Sequence, residues 1–104
     1  MGQTITAPNN QVISSRTVSA STTLLSSDNF IRLQVPNGGM ALNFPPSPKP
    51  SQRIVVLDDF GTVSMNNPVQ MNGTVNGNAA GFTFNIQYQS ATFVSNNAGG
   101  WTQT

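Results

Sequence analysis

The sequence predicts an all-β domain, a small antiparallel β-sandwich, and three observations carry that prediction. Apolar residues alternate with polar ones at period two in several short segments. Clusters of Pro, Gly and Asn separate those segments, and no stretch repeats its apolar residues at the 3.6-residue period of a helix. Jelly-roll and barrel topologies are compatible with the same pattern, and the turn spacing favours the sandwich. At 104 residues the chain has room for one hydrophobic core, so it divides into an extended N-terminal arm, 1–11, and a single domain, 12–104.

Residues 1–11, MGQTITAPNNQ, combine Pro8 with two Asn and little apolar periodicity. They read as an arm that orders against a neighbouring subunit, with Gln3, Thr4, Ile5, Thr6, Ala7 and Pro8 as the candidate assembly contacts. From Val12 onward strand-forming residues dominate, and Ile31, Leu33 and Val35 alternate with Arg32 and Gln34, which makes Phe30 to Val35 a half-buried strand. Pro36-Asn37-Gly38-Gly39 supplies turn chemistry before a second alternating run, Met40, Leu42 and Phe44, so a hairpin is expected. Prolines 45, 46, 48 and 50 lack amide donors, which ends the strand at Phe44 and makes 45–52 an extended loop.

Ile54-Val55-Val56-Leu57 is an unbroken β-branched and aliphatic run, as expected of a central strand covered on both faces, and Asp58 through Gly61 turns the chain. Asn72-Gly73 and Asn76-Gly77 predict sharp corners on either side of Thr74-Val75. Phe82, Phe84, Ile86 and Tyr88 alternate with Thr83, Asn85 and Gln87, which predicts one long strand whose apolar row is core with Tyr88 near the rim. Phe93-Val94, the turn Asn96 to Gly100, and Trp101 predict a final hairpin.

Composition narrows the function. Seven residues are charged, for a net charge of +1, and the basic residues Arg16, Arg32, Lys49 and Arg53 do not cluster. Such a chain has no field to steer a phosphate backbone, so nucleic-acid binding is not expected. Weak like-charge repulsion favours packing of copies side by side, and a homo-oligomer is expected. The chain has no Cys and no His, which removes disulfides, thiolate metal sites and the commonest general base. No stretch approaches the ~20 apolar residues of a membrane span. Residues 1–20 lack the basic start and apolar block of a signal peptide, so synthesis in the cytoplasm is expected.

Each short motif has a simpler reading. Asp28, Asp58 and Asp59 are the only side-chain carboxylates, a poor inventory for acid–base catalysis, and no enzymatic activity, metal or cofactor is expected. Neighbours on a strand point to opposite faces, so Asp58 and Asp59 do not form a carboxylate pair and are assigned to the turn. Asp59-Phe60-Gly61 matches the metal-binding tripeptide of protein kinases by chance, in a chain too short for that fold. Asn72-Gly73-Thr74 fits a glycosylation acceptor but is explained by turn geometry. Met1-Gly2-Gln3-Thr4-Ile5-Thr6 fits a myristoylation pattern, yet one acyl chain without nearby basic residues anchors weakly, and no membrane partner is expected. Pro45-Pro46-Ser47-Pro48 fits a polyproline ligand and is read as a loop.

Ser27-Asp28, Ile31/Leu33/Val35, Phe44-Pro45, Val55/Val56/Leu57, Asp59-Phe60-Gly61, Asn66-Asn67-Pro68, Gln89-Ser90-Ala91-Thr92-Phe93 and Trp101 follow one another in a characteristic order. On these residues, 17–104 resembles a small β-domain of bacteriophage virion surface proteins, which include head-decoration or cement proteins and tail-fibre segments. The additional prolines after Pro45 depart from that pattern, and the repeats and shaft of a long fibre are missing.

The resemblance implies a virion structural protein displayed on the particle surface, with trimers frequent and no catalytic residue. The expected function is a capsid decoration or cement protein, a homotrimer bound to the major capsid protein or other virion proteins. The alternative is a tail-fibre, baseplate or neck module that attaches to a host glycan, with Tyr88 and Trp101 as candidate surface contacts.

Overall fold

A computed structural model describes residues 2–6 and 12–104 of the chain. Among the described residues ten strands form: β1 Gly2–Thr6, β2 Val12–Val18, β3 Thr22–Thr23, β4 Phe30–Leu33, β5 Met40–Asn43, β6 Arg53–Leu57, β7 Val69–Asn72, β8 Phe82–Phe84, β9 Ser90–Ser95 and β10 Trp101–Gln103. They build a six-stranded sheet in the order β1-β2-β4-β6-β9-β10 and a four-stranded sheet in the order β3-β5-β7-β8. No helix occurs among the described residues, and the all-β expectation holds.

The expected antiparallel pairing does not. From β2 to β7 the chain alternates between the two sheets, and its strands stack in parallel: β2 on β4 and β4 on β6 in one sheet, β3 on β5 and β5 on β7 in the other. Each turn of chain therefore adds one strand to each sheet. Antiparallel pairing enters only at the two ends of this stack, where β1 folds back on β2, β8 on β7, β9 on β6 and β10 on β9. Both sheets are thus mixed. Period-two alternation is the same for parallel and antiparallel strands, so the sequence pattern could not separate them.

The hairpin expected across Pro36 to Gly39 is a crossover between sheets. Gly39 has φ +90°, and a side chain there would sit 2.4 Å from the Pro68 carbonyl oxygen. That close approach, with the Met40 amide donating to the Pro68 carbonyl at 3.0 Å, directs the chain to β7 instead of back along β4. Meanwhile the Gln34 amide extends the β2–β4 ladder by donating to the Val18 carbonyl.

One core is shared by side chains of both sheets. Ile31, Leu33, Ile54, Val56 and Phe93 come from the six-stranded sheet, and Leu42, Val69, Met71 and Phe84 from the four-stranded one, all with no solvent exposure. Aromatic rings bridge them: Phe93 meets Phe44, Phe82 and Phe84 edge to face at centroid distances of 5.1, 5.4 and 6.3 Å. β6 is internal, between β4 and β9. Its burial alternates, however, with Ile54 and Val56 inside and Val55 and Leu57 only half-buried, so its second face is not covered as expected.

The aromatic row also differs from expectation. β8 stops at Phe84, and Ile86 and Tyr88 are 63 % and 64 % exposed. The Gln89 side-chain oxygen accepts from the Asn85 and Ile86 amides at 3.0 and 3.1 Å, and the Gln89 amide donates to the Ile86 carbonyl, which closes a turn where the row would have continued.

Other expectations hold. The 45–52 loop carries no strand. Asn76-Gly77, with φ of 52° and 79°, makes a two-residue turn flanked by the Val75–Asn78 bridge. β9 and β10 form the last hairpin, with Trp101 opposite Ser95.

These differences make a sharp test by chemical denaturation. Phe93→Ala should cost about 3–5 kcal/mol because it empties the centre of the shared core. Ile86→Ala should stay within about 0.5 kcal/mol, since its side chain lies outside; an equal loss in both variants would restore the single long strand.

Candidate functional site

Parallel stacking sorts the connections by end. Every passage from the six-stranded to the four-stranded sheet leaves at the same end of the stack, and the β8–β9 connection returns there. Segments 34–39, 58–68 and 85–89, far apart in sequence, become neighbours. The opposite end gathers the proline loop 45–52, the corner 73–81 and the turn 96–100.

At the first end the loops are fixed by one buried acid. Asp58 is 1 % exposed, and its carboxylate accepts from the amides of Thr62 (2.9 Å), Val63 (3.0 Å) and Tyr88 (2.9 Å) and from the Thr62 hydroxyl (3.1 Å). Burial of the carboxyl pushes its pKa up, but the Tyr88, Val63 and Thr62 amides and the Thr62 hydroxyl together carry it below the ordinary aspartate value. Thr62 extends the web, because its hydroxyl oxygen accepts from the Val35 amide at 2.8 Å. The turn role expected for Asp58 is thus realised as a four-donor clamp across two loops. The adjacent Asp59 is engaged separately, in an ion pair with Arg32.

Tyr88 rides on this clamp. Its φ is +62°, a left-handed conformation rare for a bulky residue, and its amide is held by Asp58. The phenol ring lies against Gly61, where a β-carbon would come within 2.6 Å of the ring. Gly61, with φ +70°, therefore serves both the turn and the seat of the ring. Beside it opens a cleft of about 380 Å³ lined by Val35, Asn37, Gly61, Thr62, Val63, Ser64, Asn67 and Gln87. No lining residue is charged.

Of the two expected surface contacts, Tyr88 is exposed, with its ring against Gly61. Trp101 is a correction: it is 4 % exposed, stacked on Phe44 at 4.7 Å, and its ring completes the core at the far end of the sheets. The Asn96–Gly100 turn turns it inward: the Asn96 side-chain oxygen caps the Ala98 and Gly100 amides, and the Trp101 amide donates to the Thr74 carbonyl. Of the expected assembly contacts, Gln3, Thr4, Ile5 and Thr6 lie on β1, whose backbone pairs with β2, at the edge of the six-stranded sheet. Ala7 and Pro8 lie outside the described residues.

Sequence reasoning named Asn37, Asn67 and Gln87 only as turn, pattern or strand residues, and did not name Thr62 or Gln52. Gln52 is buried and donates to the Leu25 and Asp28 carbonyls at 3.1 and 2.8 Å, which fastens the opposite end as Asp58 fastens this one. The only sequence signal was the Asp-x-x-x-Thr spacing of Asp58 and Thr62, a local side-chain-to-backbone pattern easily read as a plain turn. The third acid, Asp28, forms a two-point pair with Arg16, at 2.7 and 3.3 Å, and accepts from the Leu25 amide at 2.7 Å. Among the described residues no group of three acidic or other ligating side chains could hold a metal ion.

The depressed pKa of Asp58 has a consequence for stability. Its contribution is fully present above the unfolded-state value of about 4 and disappears as pH falls through the lower folded-state value. Asp58→Asn should cost about 2–4 kcal/mol at neutral pH, since an amide nitrogen then faces donors, and should flatten the acid limb of the stability curve. Denaturant titrations between neutral and acidic pH measure both effects; an unchanged acid limb would mean that another group governs it. Comparisons with protein-family models and with curated proteins return no match for this chain.

Proposed function

We propose that this chain is a non-enzymatic structural protein of a bacteriophage virion, a capsid decoration or cement protein that binds the head surface as a homo-oligomer, with a trimer as the favoured state. In this reading its two sheets form a small β-sandwich, supported by the single core to which both contribute.

The observation that carries the reading is how the three acids are used. Asp28, Asp58 and Asp59 are all committed to holding backbone or arginine partners, so the carboxylates serve architecture. Support for assembly comes from the outer face of the six-stranded sheet. By strand alternation Phe30, Val55, Leu57 and Val94 share the side opposite Ile31, Ile54, Val56 and Phe93, and they are half-buried. Arg32 lies over Phe30, with its guanidinium carbon 5.2 Å from the ring centroid. An apolar stripe on a nearly uncharged surface is suited to subunit contact. Edge strands with unpaired backbone groups offer a second means, and residues 1–11, which include β1, are the segment assigned to clamping a neighbour.

Quantitative mass spectrometry of purified virions, with heads separated from tails, tests this directly. Hundreds of copies on heads are expected; a few copies confined to tails would instead support a fibre or baseplate module, and absence from both would overturn the structural reading. Val55→Glu should reduce the oligomer to monomers in light scattering while the chain stays folded. Deleting residues 1–11 should lower occupancy on the particle, and undiminished occupancy would remove the arm from the contact.

A further inference from the structure

We propose that copies of this chain associate head to tail, with the apolar loop end of one copy seated on the proline-loop end of the next. The inference goes beyond the virion-surface reading and is separate from the sheet-face contact, because it uses the two ends of the stack.

Apolar side chains are concentrated at the loop end. Among the described residues five large hydrophobic side chains stand exposed, and four of them, Phe60, Met65, Ile86 and Tyr88, lie in segments 58–68 and 85–89. The Tyr88 amide and the Gln87 side chain tie 85–89 to Asp58 and to the Gly61 carbonyl. Met65, 84 % exposed, sits on the adjoining turn, which two hydrogen bonds between Ser64 and Asn67 close. The four side chains therefore project from one connected, fixed tip. Apolar residues gathered in one place on a polar, nearly uncharged surface mark a contact.

At the opposite end lies a matching recess. Leu24, Leu25, Pro45 and Pro46 line a cleft of about 260 Å³, and Phe44, Trp101 and the same prolines line another of about 190 Å³. A third, of about 360 Å³, runs along Pro46, Pro48 and Pro50. Pro46 borders all three, so they form one groove, and no lining residue is charged. The prolines contribute ring carbons and no amide donors, so an apolar side chain can cover them without burying an unpaired N–H. Proline-rich segments are bound by surfaces that carry aromatic side chains. Here both partners of that recognition, Pro45-Pro46-Ser47-Pro48 and a tip with Phe60 and Tyr88, belong to one chain and lie at opposite ends.

Charge selects a second copy as the occupant. At the proline end the Arg16–Asp28 pair cancels, while Lys49 and Arg53 have no acidic partner among the described residues. At the loop end Arg32 cancels Asp59, and Asp58 remains. The side chains thus leave +2 at one end and −1 at the other, which together give the net charge of +1. Head-to-tail contact brings opposite signs together, whereas tip-to-tip or groove-to-groove contact joins like signs. Because the two patches differ, each added copy presents a fresh end, and copies add in series. So few anchors place the contact among small, transient interfaces, below about 1,200 Å², too weak to persist in dilute solution.

The chain has no cysteine, so introduced thiols report the contact by trapping it. Asn66→Cys puts one on the exposed tip, and Ser47→Cys puts one beside the groove. Mixed one to one and treated with a short bismaleimide, the two variants should form cross-linked dimers at least about tenfold faster than either alone. A chain carrying both thiols should give a ladder of three and more copies. Ile86→Lys in the Asn66→Cys partner should slow the mixed reaction at least about tenfold. Its side chain is 63 % exposed, so an unchanged unfolding midpoint should show the fold intact. Val55→Glu should leave the cross-link in place while removing the sheet-face oligomer, so the two contacts fail separately. The proposal is overturned by no gain in the mixture, by tip-to-tip cross-linking at an equal rate, or by arrest of the double variant at two copies. A rate indifferent to Ile86→Lys, or a cross-link lost with Val55→Glu, overturns it equally.

Discussion

The Asp58 carboxylate is the point from which the loop end of this molecule is organised. A charged group removed from water is tolerable only when its lone pairs are filled, and four donors from Thr62, Val63 and Tyr88 fill them. Tyr88 lies 30 residues along the chain from Asp58, so satisfying one acid fixes the position of two loops at once. Thr62 passes the constraint to Val35, and Tyr88 passes it to Gly61, which lies under its ring. Remove the charge and the donors lose their common acceptor; the cleft then has no reason to keep its shape.

The parallel stack explains why a single residue can have such reach. When successive strands alternate between two sheets and stack in the same direction, all connections of one sense emerge together. Each end must then fasten several loops with few residues. Asp58 does so at one end, while Gln52, with the Arg16–Asp28 pair beside its Asp28 partner, does so at the other. Between them the core is uniform in character, aliphatic along β4, β6, β5 and β7, with the Phe44, Phe93 and Trp101 rings at the proline-loop side. A chain with seven charged residues thus uses most of them as fasteners.

This division of labour also connects structure to the proposed roles. The outer face of the six-stranded sheet carries an apolar stripe, and the loop end carries exposed apolar side chains and a neutral polar cleft; they are different surfaces with different chemistry. A subunit can therefore seat the sheet face and the loop end against different neighbours.

The amino-acid sequence by itself determined the strands, their inward faces and most of the corners, because period-two burial and turn-residue geometry are local properties. Ile31 and Leu33, Leu42, Ile54 and Val56, and Phe93 face inward as their spacing demands, and Asn76-Gly77 turns where its backbone preference demands. Only the tertiary structure decided which strands pair. Pro36 to Gly39 has the composition of a hairpin turn, yet the Pro68 carbonyl captures Met40 and sends β5 to the other sheet. Likewise Ile86 and Tyr88 continue the alternation of Phe82 and Phe84 in sequence, but Gln89 and Asp58 take their amides and turn the chain outward. The candidate site was illegible for the same reason: Asn37, Thr62, Asn67 and Gln87 meet only because parallel stacking brings three connections to one end, a non-local arrangement on which the side-chain alternation of single strands is silent.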